Sequence, residues 1–162
     1  MRFRINLVTQ NACAVIPVNY QYPLSAAIYK TIQQADSAYA AFLHETGYKQ
    51  SGSLKSFKLF TFSDIRTPFK IAGDRLQLLT QHAELEVCFH LPQAAENFIR
   101  GIFIKQQLDI ADKKSKARFE IQSVESLRDP LQAYKPQELI SIILKPLSPV
   151  VAGLPDEKGN YV

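Results

Sequence analysis

The 162-residue chain has little of what builds covalent or metal-bound scaffolds. Its two cysteines, Cys13 and Cys88, lie far apart and form no CxxC pair. That rules out a disulfide framework and points to a reducing, cytoplasmic compartment. The three histidines, His44, His82 and His90, show no HxxxH spacing, and acidic residues do not cluster with them, so no metal or other cofactor is expected. Six glycines, none of them clustered, leave no P-loop and no GxGxxG turn. No apolar run is long enough to span a bilayer, and the opening MRFRINLV is too short and too alternating for a signal peptide. Internal repeats and low-complexity tracts are absent, and no Ser-His-Asp arrangement stands out.

What is present is ordinary globular material, 46% hydrophobic and 21% charged, enough to bury a core. The net charge of +4 and pI of about 9.1 suit an acidic partner such as nucleic acid without demanding one. Residues 2–8 alternate, with Phe3, Ile5 and Leu7 on one face, which predicts a half-buried strand. Pro23 opens a helix whose stripe is Leu24, Ala27, Ile28 and Ile32. Asp36-Ser37 caps a second helix, with Ala38, Ala41 and Phe42 expected inward and Gly47 as its stop. A basic Gly/Ser loop over 48–56 leads into Phe57–Ser63, whose two bulky faces predict a central strand. The 66–70 stretch reads as a connection, Gly73-Asp74 as a turn, and residues 75–80 and 84–90 as strands. Pro92 starts a helix with Ala95, Phe98, Ile99 and Ile102 inward. Residues 107–110 and 118–124 form a hairpin around the basic tip Asp112–Lys116.

This order is the β-α-β-β-α-β pattern of an α+β, ferredoxin-like (RRM-like) sandwich over residues 1–130. Asp129-Pro130 breaks it. Strands expected at 138–144 and 147–151 make residues 131–162 a linker and the start of a second such domain. The apolar residues Ile140, Ile142, Ile143 and Val150 would leave an edge that invites a homodimer.

Taken singly, the candidate chemical residues have ordinary explanations. His44 ends a short helix, where a cation is favourable in any case. Tyr29 suits a core tyrosine with its hydroxyl at the surface, and Tyr20, Tyr22, Tyr39 and Tyr48 compete with it. Lys58 suits a solvated strand lysine. Cleavage of RNA would need what such residues supply together: a base for the 2′-hydroxyl, an acid for the 5′-oxygen and a cation for the phosphorane. The nucleophile then lies within the substrate, and no metal is needed.

Six segments in order carry a more specific signal: Met1–Ile5, Asn19–Leu24, Ile28-Tyr29, Ala41-Phe42-Leu43-His44-Glu45, Lys58–Ser63 and Leu147–Val150. On these the chain resembles the CRISPR-associated endoribonucleases that process repeat RNA, members of the RAMP superfamily. The resemblance implies two tandem ferredoxin-like domains. It also implies metal-free cleavage within the repeat of CRISPR precursor RNA, leaving 2′,3′-cyclic phosphate and 5′-hydroxyl ends. It assigns His44, Tyr29 and Lys58 as catalytic, with Lys49 or Lys55 able to replace Lys58. The family's glycine-rich loop is not in this sequence, so the chain alone is expected to hold RNA weakly and to lack full activity. Lys49, Lys55, Lys113, Lys114 and Lys116 are the expected RNA contacts. The alternative is a non-catalytic, RRM-like RNA-binding or scaffold domain.

Overall fold

The computed structural model describes residues 1–49, 56–57, 59–135 and 137–147, the side chains of 49, 56 and 57 excepted. In chain order the strands begin with β1 (Arg2–Val8) and β2 (Val15–Pro17), followed by the helices α1 (Gln21–Ala35) and α2 (Ser37–Glu45). Then come β3 (Tyr48–Lys49), β4 (Ser56–Phe57), β5 (Phe60–Phe62), β6 (Phe69–Ala72), β7 (Arg75–Leu78) and β8 (His82–Phe89). Helix α3 (Pro92–Ile104) and the hairpin β9 (Gln107–Ala111) and β10 (Lys116–Leu127) complete the order.

The main sheet is antiparallel in the order β5-β8-β1-β10-β9. Its first four members have the strand order of a ferredoxin-like fold, with α1–α2 and α3 as the two crossovers. Strand β9 extends it, and β2-β7-β6 form a separate three-stranded sheet. The expected hairpin is present, with Lys116 opposite Ala111.

Helix α1 starts two residues before Pro23. The proline falls in the first turn, where its missing N–H breaks no helical bond. Leu24, Ala27, Ile28 and Ile32 are buried, as their spacing predicts. The Asp36 N–H closes α1 on the Ile32 carbonyl, while its carboxylate accepts from the Tyr39 N–H at 2.9 Å and starts α2. Gly47, at φ +59, ends α2 by donating to the Phe42 carbonyl. The core lies between helices and sheet, with Phe89, Phe98 and Phe119 at 0–1% exposure. The Phe89 and Phe98 rings are 5.0 Å apart. Burying one such ring contributes roughly 1.5–3 kcal/mol.

Four expectations need correction. In α2 the buried residues are Tyr39, Ala40 and Leu43, while Ala38, Ala41 and Phe42 face out. Its sequence is apolar nearly all round, so periodicity does not set its phase, and tertiary packing does. The 57–63 stretch is not one central strand. Leu59, at φ +54, separates β4 from β5, and β5 is an edge strand. Residues 138–147 contain no strand, although the Leu147 carbonyl accepts from the Asp64 N–H at 2.9 Å; the expected strand at 147–151 lies mostly outside the described residues. The 66–70 stretch, read as a connection, includes the start of β6.

Candidate active site

Tyr29 and His44 come from different helices, and the α1–α2 turn at Asp36 folds them onto each other. Their rings meet edge to face with centroids 6.3 Å apart. His44 is exposed in the last turn of α2. Tyr29 is half-buried, and the ring of Phe60 on β5 meets it at 5.3 Å. The histidine is thus open to a substrate while the tyrosine is held on its other side by the sheet edge. Sequence reasoning did not single out Phe60, although its place two residues after Lys58 was the available signal.

Beyond Phe60 the molecule opens into a cleft of about 690 Å³, lined by Leu59, Phe60, Thr61, Arg2, His90 and Arg128 among others. The left-handed backbone at Leu59 is uncommon for a bulky residue and turns the chain into this cleft. Its carbonyl accepts from the His90 N–H at 3.0 Å. Burial pushes the Cys88 thiol on the cleft wall above its ordinary value. His82 is exposed away from this lining, on β8.

Around the end of α2 sits an aromatic cluster. Tyr39 stacks on Phe42, Phe42 meets Tyr48 edge to face at 5.1 Å, and the Tyr39 and Tyr48 hydroxyls are 3.3 Å apart. Burial, and then the Tyr48 contact, raise the Tyr39 phenol above its ordinary value. This cluster fixes the start of the strand that carries Lys49. The backbone of Lys49 pairs with Ser56, but its side chain, and all of Lys55 and Lys58, lie outside the described residues.

The other expected RNA contacts are elsewhere. Lys113, Lys114 and Lys116 lie on the β9–β10 hairpin, at the sheet edge opposite β5. Lys113 is exposed, whereas Lys114 pairs with Asp74 at 2.8 Å and Lys116 with Asp109 at 2.9 Å. Arg75 ties the hairpin tip through Asp112 at 2.7 Å. Against the desolvation that would raise it, hydrogen bonds from Arg75 and from the N–H groups of Lys114 and Ser115 hold the Asp112 carboxyl well below the usual range. Among the described residues, no group of three or more His, Cys, Asp or Glu is placed to hold a metal ion, and no helix is long and apolar enough to cross a membrane.

The strand order and the two crossovers define a ferredoxin-like α+β protein. The chain belongs to the family described as CRISPR-associated protein Cas6, N-terminal, which matches residues 15–124. It is 32% identical over 113 residues to CRISPR-associated endoribonuclease Cas6 1 of Methanocaldococcus jannaschii, covering 69% of this chain and 41% of that protein. It is 27% identical over 134 residues to CRISPR-associated endoribonuclease Cas6 of Pyrococcus furiosus, covering 80% of this chain and 46% of that protein. The chain therefore spans less than half the length of these curated relatives. A solved structure named CRISPR associated protein Cas6 superposes with a TM-score of 0.63 at 28% identity, covering 100% of this chain and 62% of that one.

Proposed function

We propose that this chain carries the catalytic residues of a metal-independent endoribonuclease that cuts CRISPR precursor RNA within its repeat. The observation that carries this reading is the pairing of exposed His44 with Tyr29 beside the cleft at β5. His44 takes the proton of the 2′-hydroxyl, and the freed oxygen attacks the adjacent phosphorus. The P–O bond to the 5′-oxygen breaks, and that oxygen receives a proton from Tyr29 or from the imidazolium formed in the first step. A lysine of the 49–58 segment, Lys58 first and Lys49 or Lys55 otherwise, steadies the charge on the phosphorane. The products are a 2′,3′-cyclic phosphate and a 5′-hydroxyl.

The non-catalytic RRM-like alternative needs aromatic side chains on the open face of the sheet for bases to stack on. On β1 and β8 that face instead carries Arg2, Arg4, Glu84 and Glu86, joined by Arg66 in an ion-pair network. Phe60 lies against Tyr29, on the helical side.

The test uses the protein expressed from its complete gene and its cognate repeat RNA. Cleavage should proceed in EDTA and should leave a cyclic phosphate, while RNA with a single 2′-deoxy group at the cleaved nucleotide should bind and stay intact. Cleavage of the deoxy substrate, or abolition of cleavage by EDTA, contradicts the mechanism.

A further inference from the structure

Helix α1 also borders a polar cavity, lined by Lys30 and Gln34. Gly101 of α3 packs so tightly on α1 that an added Cβ would stand 1.8 Å from the Thr31 carbonyl oxygen. This close approach brings the end of α3 beside Lys30. Lys105 caps α3 and is half-buried, and its carbonyl accepts from the Gln107 N–H at 2.7 Å, which starts β9. Between α1, Lys105 and β9 lies a cavity of about 230 Å³ whose polar lining includes Lys30, Gln34, Lys105, Gln107, Asp109 and Lys116. Three ammonium groups face one carboxylate there, a net excess of two positive charges. Asp109 is already engaged by Lys116 at 2.9 Å and by Arg118 at 3.1 Å. Among the described residues neither Lys30 nor Lys105 has an ion-pair partner. The Gln34 side-chain oxygen is buried without a hydrogen-bond partner among them. A half turn of that amide plane exchanges this acceptor for N–H donors.

We propose that this cavity is a phosphate-binding subsite, gripping the RNA backbone on the side of α1 away from His44. The proposal rests on the reading of RNA as substrate. Tyr29 and Lys30 are successive residues, so they project about 100° apart around the helix. A strand whose scissile phosphate sits at His44 and Tyr29 crosses α1, a cylinder about 10–12 Å wide, to place a neighbouring phosphate between Lys30 and Lys105. Such a contact anchors register and orientation and reads no base. The plain alternative is that Lys105 only complements the α3 dipole and Lys30 is a solvated lysine.

The experiment is equilibrium binding of repeat RNA to the full-length protein carrying His44→Ala, measured across salt concentrations. Adding Lys30→Gln with Lys105→Gln should flatten the slope of log K against log salt by about 0.7, the contribution of the one single-strand phosphate that the two lysines hold. Lys30→Arg with Lys105→Arg should keep the slope. Lys70→Gln with Lys145→Gln, which removes the same charge from exposed positions elsewhere, should leave it unchanged. If the cavity pair changes the slope no more than the Lys70/Lys145 pair does, the subsite is wrong, and the His44 mechanism is untouched. Absence of any RNA binding in the His44→Ala protein with its lysines intact overturns both.

Discussion

Gly101→Ala sets two effects of opposite sign against each other. Replacing glycine by alanine within a helix favours folding by about 1 kcal/mol, because alanine leaves the unfolded chain less freedom to lose. At Gly101 the new methyl group would lie 1.8 Å from the Thr31 oxygen and 2.7 Å from its carbon, where 3.4 Å is ordinary contact. The obstacle is backbone inside a packed helix pair, so no side chain can swing away. Relief requires α1 and α3 to part by about 1.6 Å locally, at an interface where Ile28, Ile32, Phe98 and Ile102 are almost fully buried. Overpacking a core costs roughly 1–3 kcal/mol and at times more. A backbone clash this close belongs at or above the top of that range, which leaves a net loss of about 2 kcal/mol. For a chain of this size that corresponds to a fall in melting temperature of about 4–8 °C. Thermal unfolding followed by circular dichroism measures it directly. A variant that melts at or above the wild-type temperature would mean that helix propensity wins and that α1 and α3 do not approach as described.

Further consequences are testable in the same way. The buried Tyr20 hydroxyl donates to Asp64 at 3.0 Å and accepts from the Ile65 N–H at 3.1 Å, and burial first, then Asp64, push its phenol up to about 12. A raised phenol stabilises the fold below its unfolded value of about 10, and that stability is lost as the pH rises from 10 through 12. Tyr20→Phe should therefore remove about 1–3 kcal/mol at neutral pH and flatten the alkaline fall in denaturant midpoint, whereas an unchanged alkaline profile refutes the assignment. Glu86, with a side chain 7% exposed among Arg2, Arg4 and Arg66, should lose about 2 kcal/mol as Glu86→Gln, while Glu125→Gln at 59% exposure stays within about 0.5; equal losses contradict the burial argument. Ile143 and Leu144 are exposed, so light scattering should detect self-association that Ile143→Glu weakens, and a monomer at high concentration argues against it.

Much of this molecule is legible in its sequence where one residue type permits one structure. The α1 stripe, the Asp36 cap, the Gly47 stop and the β9–β10 hairpin follow from spacing and backbone preference. The phase of α2 was not legible, because Ala38, Ala40 and Ala41 look alike and only tertiary packing decides among them. The break at Leu59 was hidden because nothing in Phe57–Ser63 marks a left-handed residue in the way a glycine would. His44 and Tyr29 were singled out by family resemblance. Their ring contact depends on how α1 and α2 fold together at Asp36, and composition carries no trace of that. The lysine cavity joins residues from α1, the end of α3 and the hairpin, so no local pattern announces it.

The central claim is that His44 transfers a proton during cleavage. Its most direct test is single-turnover cleavage of repeat RNA by the full-length protein and its His44→Ala variant, with RNA affinity measured alongside. The account predicts a rate lower by about 10²–10⁴-fold with affinity and melting temperature nearly unchanged. Cleavage by His44→Ala at the native rate would contradict it.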